Sequence, residues 1–484
     1  MKAYIESLEA LTRSQLILLL ARQRQAETEG LAVVGASCRL PGGITDPDGF
    51  WAVVREGRAV ATESVGVPVD SLGRPRWNLT AADVAPHADL LRSGAYLDSI
   101  DLFDAAGSGV PEQEARYLDP QHRLLLTETG RAVADAGLGD LRTRRVGVFI
   151  AVSPSEYGVA GVRNGVPDGE LSGWMSSGVA PSAAAGRIAL ALGVNGPALT
   201  VDTACSSALA ALHLAGVALR RDECDVAIVG AAHLVLSPFT TAVSARAGML
   251  SATGHCRPFT SRADGYVRGE GGVVLVLVRE RDAHAENLAP YALVRGSALG
   301  QHGGRAMLVG SSATGQQGAI RDCLGGAGVA PAEVGYVEAH GSSDPIADAV
   351  ELDALATAYG RQRADAPPLL VGSGKANIGY LETAAGATGL LRAILALHHD
   401  TVPGQPDFVD PSPRIPWSRL AVSVPTTGTS WPGAGRRLAG VNAYGFTGTS
   451  AHVLLEASAR TRPDRPAPPS TPGQRHWLDS YTWH

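Results

Sequence analysis

Cysteine is scarce in this 484-residue chain, and what there is does not make a framework. Five cysteines, odd in number and scattered, give no disulfide pattern, so a reducing, cytoplasmic setting is expected. No Cys-x-x-Cys pair or His/Cys cluster has zinc-site spacing, and no metal is assigned. Excess basic charge is also missing. The formal charge of −6 offers no field to attract nucleic acid. The longest apolar runs fall far short of the ~20 residues of a membrane-spanning helix. Met1-Lys2 leads to Glu6 and Glu9 rather than to a basic and then apolar stretch, so no signal peptide is expected. With 45% hydrophobic residues, the composition left is that of one large globular core with a small appendage.

Residues 1–29 place Ile5, Leu8, Leu11, Leu16, Leu19 and Leu20 at roughly helical spacing. Such a helix either packs on its own domain or docks another chain. From Leu31 onward, apolar runs alternate with Ala-rich helical segments. Val146–Ala151, Val226–Gly230, Val273–Val278, Val334–Glu338 and Leu369–Gly372 read as buried strands, which predicts an α/β fold with helices covering both sheet faces. A join is expected near 280–292, where Arg279-Glu280-Arg281-Asp282 ends a strand-like run. After Glu456 the chain turns rich in Pro, Arg, Ser and Thr, which reads as an irregular linker or strap.

Val201-Asp202-Thr203-Ala204-Cys205-Ser206-Ser207 carries the strongest chemical signal. One cysteine ends an apolar run just before the helical pattern Ala208–Leu219. The positive end of a helix dipole favours thiolate, the nucleophilic form. The competing reading is a small buried cysteine. Downstream lie Glu338-Ala339-His340-Gly341, Gly374-Lys375-Ala376-Asn377-Ile378-Gly379 and Gly445-Phe446-Thr447-Gly448-Thr449.

Together these stretches resemble the ketosynthase domain of modular polyketide synthases, in the thiolase superfamily. Ala32–Gly43 is similar to that domain's first strand. Leu118-Asp119-Pro120-Gln121, Pro258-Phe259 and Asp264–Gly271 extend the match, which runs from about Leu31 to Glu456. The resemblance implies a five-layer αβαβα fold of two similar halves, with the nucleophile in 30–285 and the other site groups in 286–456, after the 1–29 segment and before a 457–484 strap. It implies a homodimer and an acyl carrier protein partner that brings the phosphopantetheine arm, with no cofactor bound to the chain itself. It also implies roles: Cys205 as nucleophile, the N–H groups of Cys205 and Phe446 as oxyanion donors, His340 as catalytic histidine, and Lys375 and Glu351 as its organisers. Trp477-Leu478-Asp479 is similar to a linker that follows acyltransferase domains. With no Gly-His-Ser-x-Gly elbow present, the chain is read as a free-standing ketosynthase. Leu97-Asp98-Ser99-Ile100 falls inside the match and is not read as a carrier site.

The chain departs from the family's pattern at three places. Lys375-Ala376-Asn377-Ile378-Gly379 ends on Tyr380, where the family has its second histidine. A phenol donates hydrogen bonds, but with a pKa of about 10 it is a poor base unless a cation such as Lys375 lowers it. The family's His-Gly-Thr-Gly-Thr becomes His340-Gly341-Ser342-Ser343-Asp344, keeping a hydroxyl at Ser342 for the pantetheine arm and adding an acid at Asp344. In Ala306-Met307-Leu308-Val309-Gly310-Ser311, Val309 replaces a threonine. All three fall where an extender unit is bound or activated. The resulting expectation is an enzyme that loads an acyl chain onto Cys205 without decarboxylative elongation and closes a carbon–carbon bond within that chain. Tyr380 would then serve as base or donor, as in cyclising ketosynthases of the salinosporamide type. The alternatives are an ordinary decarboxylative elongase and a silent carrier-binding partner subunit.

Overall fold

The computed structural model of the chain describes residues 5, 8, 9, 11–63, 66–82, 84–165, 172–301, 303, 309–360, 363, 366–432, 435–460, 462 and 473–477. Eleven strands form one sheet: β1 Leu31–Arg39, β2 Val146–Val152, β3 Ala198–Val201, β4 Val226–His233, β5 Gly271–Arg279, β6 Ala292–Gln301, β7 Tyr336–Glu338, β8 Leu369–Gly372, β9 Val422–Ser423, β10 Leu438–Tyr444 and β11 Thr449–Ala457. β2, β4 and β5 are buried at every position. This is why they read as unbroken apolar runs rather than alternating ones.

The sheet is built from one pattern used twice. In the first half β1 pairs antiparallel with β5, β5 antiparallel with β4, and β4, β2 and β3 run parallel. In the second, β6 pairs antiparallel with β11, β11 antiparallel with β10, and β10, β7 and β8 run parallel. The halves join where β1 and β6 pair through Leu31–Val33. Short Glu280–Ala285 lies at that junction.

α1 Arg13–Glu27 precedes the five helices that build the layers: α2 Pro120–Ala136, α3 Ser207–Arg220, α4 Ala313–Ala327, α5 Pro345–Tyr359 and α6 Ala385–His398. α3 and α6 pack on each other between the two half-sheets, and both are buried along most of their length. Their Ala- and Leu-rich sequences suit burial on all sides. α2 covers the first half-sheet from outside and α4, with α5 beside it, covers the second, giving five layers. Arg392, fully buried on α6, is held by Glu338 and by the hydroxyl of Tyr336.

The two ends behave differently. On α1, Ile17, Leu18, Leu19 and Leu20 are all exposed, so its apolar residues surround the helix rather than forming one packed stripe. Residues 1–4 lie outside the described residues. The C-terminal strap is anchored at separate points: Gln474–Arg475 pairs with Leu102–Phe103, Arg462 donates to Asp135 and to the Val34 carbonyl, and Trp477 stacks edge-on against Tyr157. Leu478 and Asp479 lie outside the described residues, as do 463–472. All five cysteines are free.

Candidate active site

Cys205 sits in the turn between β3 and α3. The turn is tied by its own hydroxyls: Ser207 Oγ accepts from the Thr203 N–H at 2.8 Å, Ser206 Oγ donates to the Thr203 carbonyl at 2.8 Å, and Asp202 accepts from the Ala204 N–H at 2.9 Å. Ala204 adopts φ +55°, the left-handed region, at a cost of about 1–2 kcal/mol. That kink places the cysteine at the bend, partly buried.

The hairpin of β10 and β11 delivers a second backbone to the same place. Gly445 approaches so closely that a Cβ there would lie 2.4 Å from the Thr203 carbonyl oxygen. Only glycine permits this approach. It brings the Phe446 N–H to the cysteine sulfur, while the Phe446 ring stays half exposed.

His340 follows the short strand β7, just beyond Ala339, and is gripped at both sides of its peptide. Glu351, on α5, accepts from the His340 and Gly341 N–H groups, each at 2.8 Å. Lys375 Nζ donates to the His340 carbonyl. Thus Glu351 and Lys375 organise the histidine through its backbone. The ring is set by Tyr444, whose N–H donates to Nδ1 at 3.3 Å. Nδ1 therefore accepts, and the proton of the neutral ring sits on Nε2. Burial, reinforced by the Lys375 ammonium, holds His340 well below the usual histidine range, so the ring is neutral.

Tyr380 bridges the histidine and the cysteine. Its Oη is 3.4 Å from His340 Nε2, and its hydroxyl faces Cys205 and pulls that thiol down. The Tyr380 backbone is pinned on both sides: its N–H donates to Val267 and its carbonyl accepts from Gly269, each at 2.8 Å. Tyr266 packs edge-on against its ring at 4.6 Å, and Lys375 Nζ lies 5.0 Å from the ring centroid. With Nδ1 accepting, His340 Nε2–H is the donor toward Tyr380 Oη, which leaves the phenol's own proton free to be donated onward.

Two electrostatic expectations are corrected here. Burial pushes the Cys205 thiol up to about 11, although the Tyr380 hydroxyl, Lys375 and the Phe446 N–H pull it down. Desolvation outweighs these influences, so the resting cysteine is a thiol. Tyr380 is not turned into a base by Lys375 either. The ammonium faces the ring rather than the oxygen, and burial with the adjoining sulfur holds the phenol well above its ordinary value.

The other sequence candidates lie further out. Asp344 Oδ1 accepts from the Ile346 and Ala347 N–H groups at 2.9 and 2.7 Å, so this carboxylate caps α5. Ser342 is partly buried in the loop between β7 and α5. Val309 is exposed, and Ala306, Met307 and Leu308 lie outside the described residues. Sequence reasoning missed Tyr444 and Asn442. Both precede Gly445 on β10 two residues apart, and that alternation was the available signal. Among the described residues no group of three His, Cys, Asp or Glu side chains is placed to hold a metal, and no helix is long and apolar enough to cross a membrane.

Comparison with known proteins gives this geometry a family. Residues 28–283 match the family described as beta-ketoacyl synthase, N-terminal domain; 291–408 match its C-terminal domain; and 411–478 match the ketoacyl-synthetase C-terminal extension. The chain is 40% identical over 467 residues to erythronolide synthase EryA3 of Saccharopolyspora erythraea, covering 95% of this chain and 14% of that protein. It is 38% identical over 457 residues to the spectinabilin polyketide synthase system protein NorA of Streptomyces orinoci, covering 93% and 24%. The chain thus spans under a quarter of each of these relatives. Among solved structures, the ketosynthase from module 6 of the bacillaene synthase of Bacillus subtilis 168 superposes with a TM-score of 0.79 at 33% identity, covering 88% of this chain and 72% of that one. The oxazolomycin ketosynthase domain OzmH KS7 of Streptomyces albus JA3453 gives 0.80 at 29% identity, covering 92% and 76%. A lone cysteine at a strand-to-helix turn, a buried histidine and this doubled sheet accordingly belong to one lineage: the chain is a member of the beta-ketoacyl synthase family, a ketosynthase of the polyketide synthase type.

Proposed function

We propose that the chain takes an acyl group from the phosphopantetheine arm of a carrier protein onto Cys205 and joins it to a second acyl unit by decarboxylative condensation. His340 Nε2–H and the Tyr380 hydroxyl hold the enolate oxygen. The observation that carries this reading is the proton arrangement: both groups are donors, and neither is set up as a base. An enolate formed by loss of carbon dioxide needs donors at its oxygen and no base at carbon. Two donors at a developing oxyanion in a buried site are worth about 3 kcal/mol each. The N–H groups of Cys205 and Phe446 serve the tetrahedral intermediates of acyl transfer in the same way.

A second reading, condensation within the loaded chain without decarboxylation, is favoured by one observation. The Tyr380 hydroxyl bridges His340 and Cys205, which is the space a second thioester would enter. That reading requires a base for the α-carbon, and the pKa directions of His340 and Tyr380 argue against one. Ser342 and Val309 are assigned to the path of the pantetheine arm in either case. The working unit is proposed to be a homodimer: β3 is an edge strand, and Leu199 on it and Leu190 and Val162 in the preceding helices are exposed.

Intact-protein mass spectrometry tests the reading. Acyl carrier protein should add its acyl mass to the wild type and not to Cys205→Ala. Adding malonyl carrier protein should then give a product two carbons longer. A loaded enzyme that turns over to an unextended, cyclised product would favour the second reading; no loading at all would overturn both.

A further inference from the structure

Behind His340 lies a line of buried polar side chains that the proposed chemistry does not touch. Asn442 Nδ2 donates to Glu351 Oε1 at 2.9 Å. Its Oδ1 therefore faces His452, whose Nδ1 is 2.6 Å away. His452 Nε2 in turn lies 2.9 Å from the hydroxyl of Tyr359, the last residue of α5. Every proton has one direction. The Asn442 oxygen must accept, so Nδ1 carries the His452 proton and Nε2 accepts from Tyr359. The line ends on Glu351, which also receives the His340 and Gly341 N–H groups.

The fold is arranged around this line. Asn442 and His452 are direct cross-strand partners on β10 and β11, so their side chains share a face. Glu351 and Tyr359 belong to the same helix, and the four side chains are at most 3% exposed. Gly440 is two residues before Asn442 on that face. A Cβ there would stand 2.7 Å from His452 Cε1 and 3.0 Å from Tyr359 Oη. The strand leaves room for the pair only because that residue is glycine. Burial pulls His452 down to about 3, so the line keeps its direction at any working pH. Two residues beyond Asn442, the N–H of Tyr444 sets the tautomer of His340.

We propose that Tyr359, His452 and Asn442 are positioning residues: they fix Glu351 and the course of β10, and thereby hold both the backbone and the ring of His340 with Nε2–H turned to the reacting oxygen. This rests on the role given to His340 above and extends it to side chains that meet no substrate. Such a role acts on the condensation step and spares carrier binding.

The test measures kcat and KM for condensation together with the rate of acyl loading onto Cys205. His452→Leu should lower condensation kcat about ten- to hundredfold, the range for losing a hydrogen bond to a charged network, with KM for the carrier protein unchanged. His452→Asn keeps a donor toward Asn442 and should restore most of that loss. Loss of loading in the same proportion as condensation, or failure of His452→Asn to rescue, overturns the proposal. If His452→Leu does not fold, Tyr359→Phe removes a single oxygen and should lower kcat in the same direction; an unchanged kcat in it also overturns the proposal. His340→Ala run in parallel separates the layers. A large loss there with none in His452→Leu sinks the positioning role alone, whereas no loss in His340→Ala sinks the histidine's own role and this one with it.

Discussion

Replacing Tyr380 with phenylalanine removes one oxygen and keeps the ring that packs against Tyr266 at 4.6 Å and under Lys375 at 5.0 Å. The fold should therefore survive, and the change can be read on Cys205 itself. In the wild type the hydroxyl is the largest influence pulling the thiol down from what burial alone would impose, and the net value is still about 11. A hydrogen bond to a charged acceptor contributes about 1.5–3 kcal/mol. At 1.36 kcal/mol per pKa unit, its loss raises the thiol by roughly one to two units. The thiolate is the reactive form, so alkylation of Cys205 at a fixed pH near 9 should slow about ten- to a hundredfold. The assay is the rate of iodoacetamide labelling against pH, read by peptide mass spectrometry; the other four cysteines are buried and free and serve as internal controls. Both curves should rise with pH, the variant's displaced to higher pH. A Tyr380→Phe protein that labels as fast as the wild type, or faster, would refute the bridging arrangement.

Three further outcomes follow from particular contacts. Asp344→Ala should cost about 1 kcal/mol through loss of the α5 cap, seen as a lower Tm that Asp344→Asn largely restores; a loss of activity with no change in Tm would contradict the capping assignment. Arg392→Met leaves Glu338 buried without its partner and should destabilise the protein by about 3–5 kcal/mol in denaturant unfolding, whereas a change below 1 kcal/mol would show that Glu338 finds another partner. His452 is held at about 3 in the fold against about 6.5 unfolded, so the unfolded chain takes up the proton first. Its contribution is intact above pH 6.5 and is lost as pH falls toward 3. Unfolding free energy should therefore drop across that window, and His452→Asn should flatten the drop; an equally steep drop in the variant would contradict it.

Much of this was legible in the chain before any coordinates, because the signals are local. Strands buried on both faces show as unbroken apolar runs, and Val226–His233 and Gly271–Arg279 are full-length versions of the shorter runs read from sequence. The cysteine turn announces itself as a lone Cys between a strand-like and a helix-like stretch. The charge states did not show, because burial is a property of the assembled layers. The dipole argument for a Cys205 thiolate is sound for an exposed helix start and fails for a desolvated one. The contacts of Glu351 were equally hidden, since they join α5 to the end of β7 across a loop. Asp344 is the instructive case. Asp-Pro at the start of an apolar-periodic segment is a capping signal in its own right, and the family pattern drew attention to the change of residue instead.

The central claim is that a tyrosine serves as the second enolate donor in a decarboxylating site. The most direct measurement is release of labelled carbon dioxide from carboxyl-labelled malonyl carrier protein by acyl-loaded enzyme, counted for wild type, Tyr380→Phe and Tyr380→His. The account predicts one carbon dioxide per extended product in the wild type, a rate lower by about a hundredfold or more in Tyr380→Phe, and substantial release in Tyr380→His. A wild type that loads Cys205 fully and releases no carbon dioxide, with release appearing only in Tyr380→His, would contradict it.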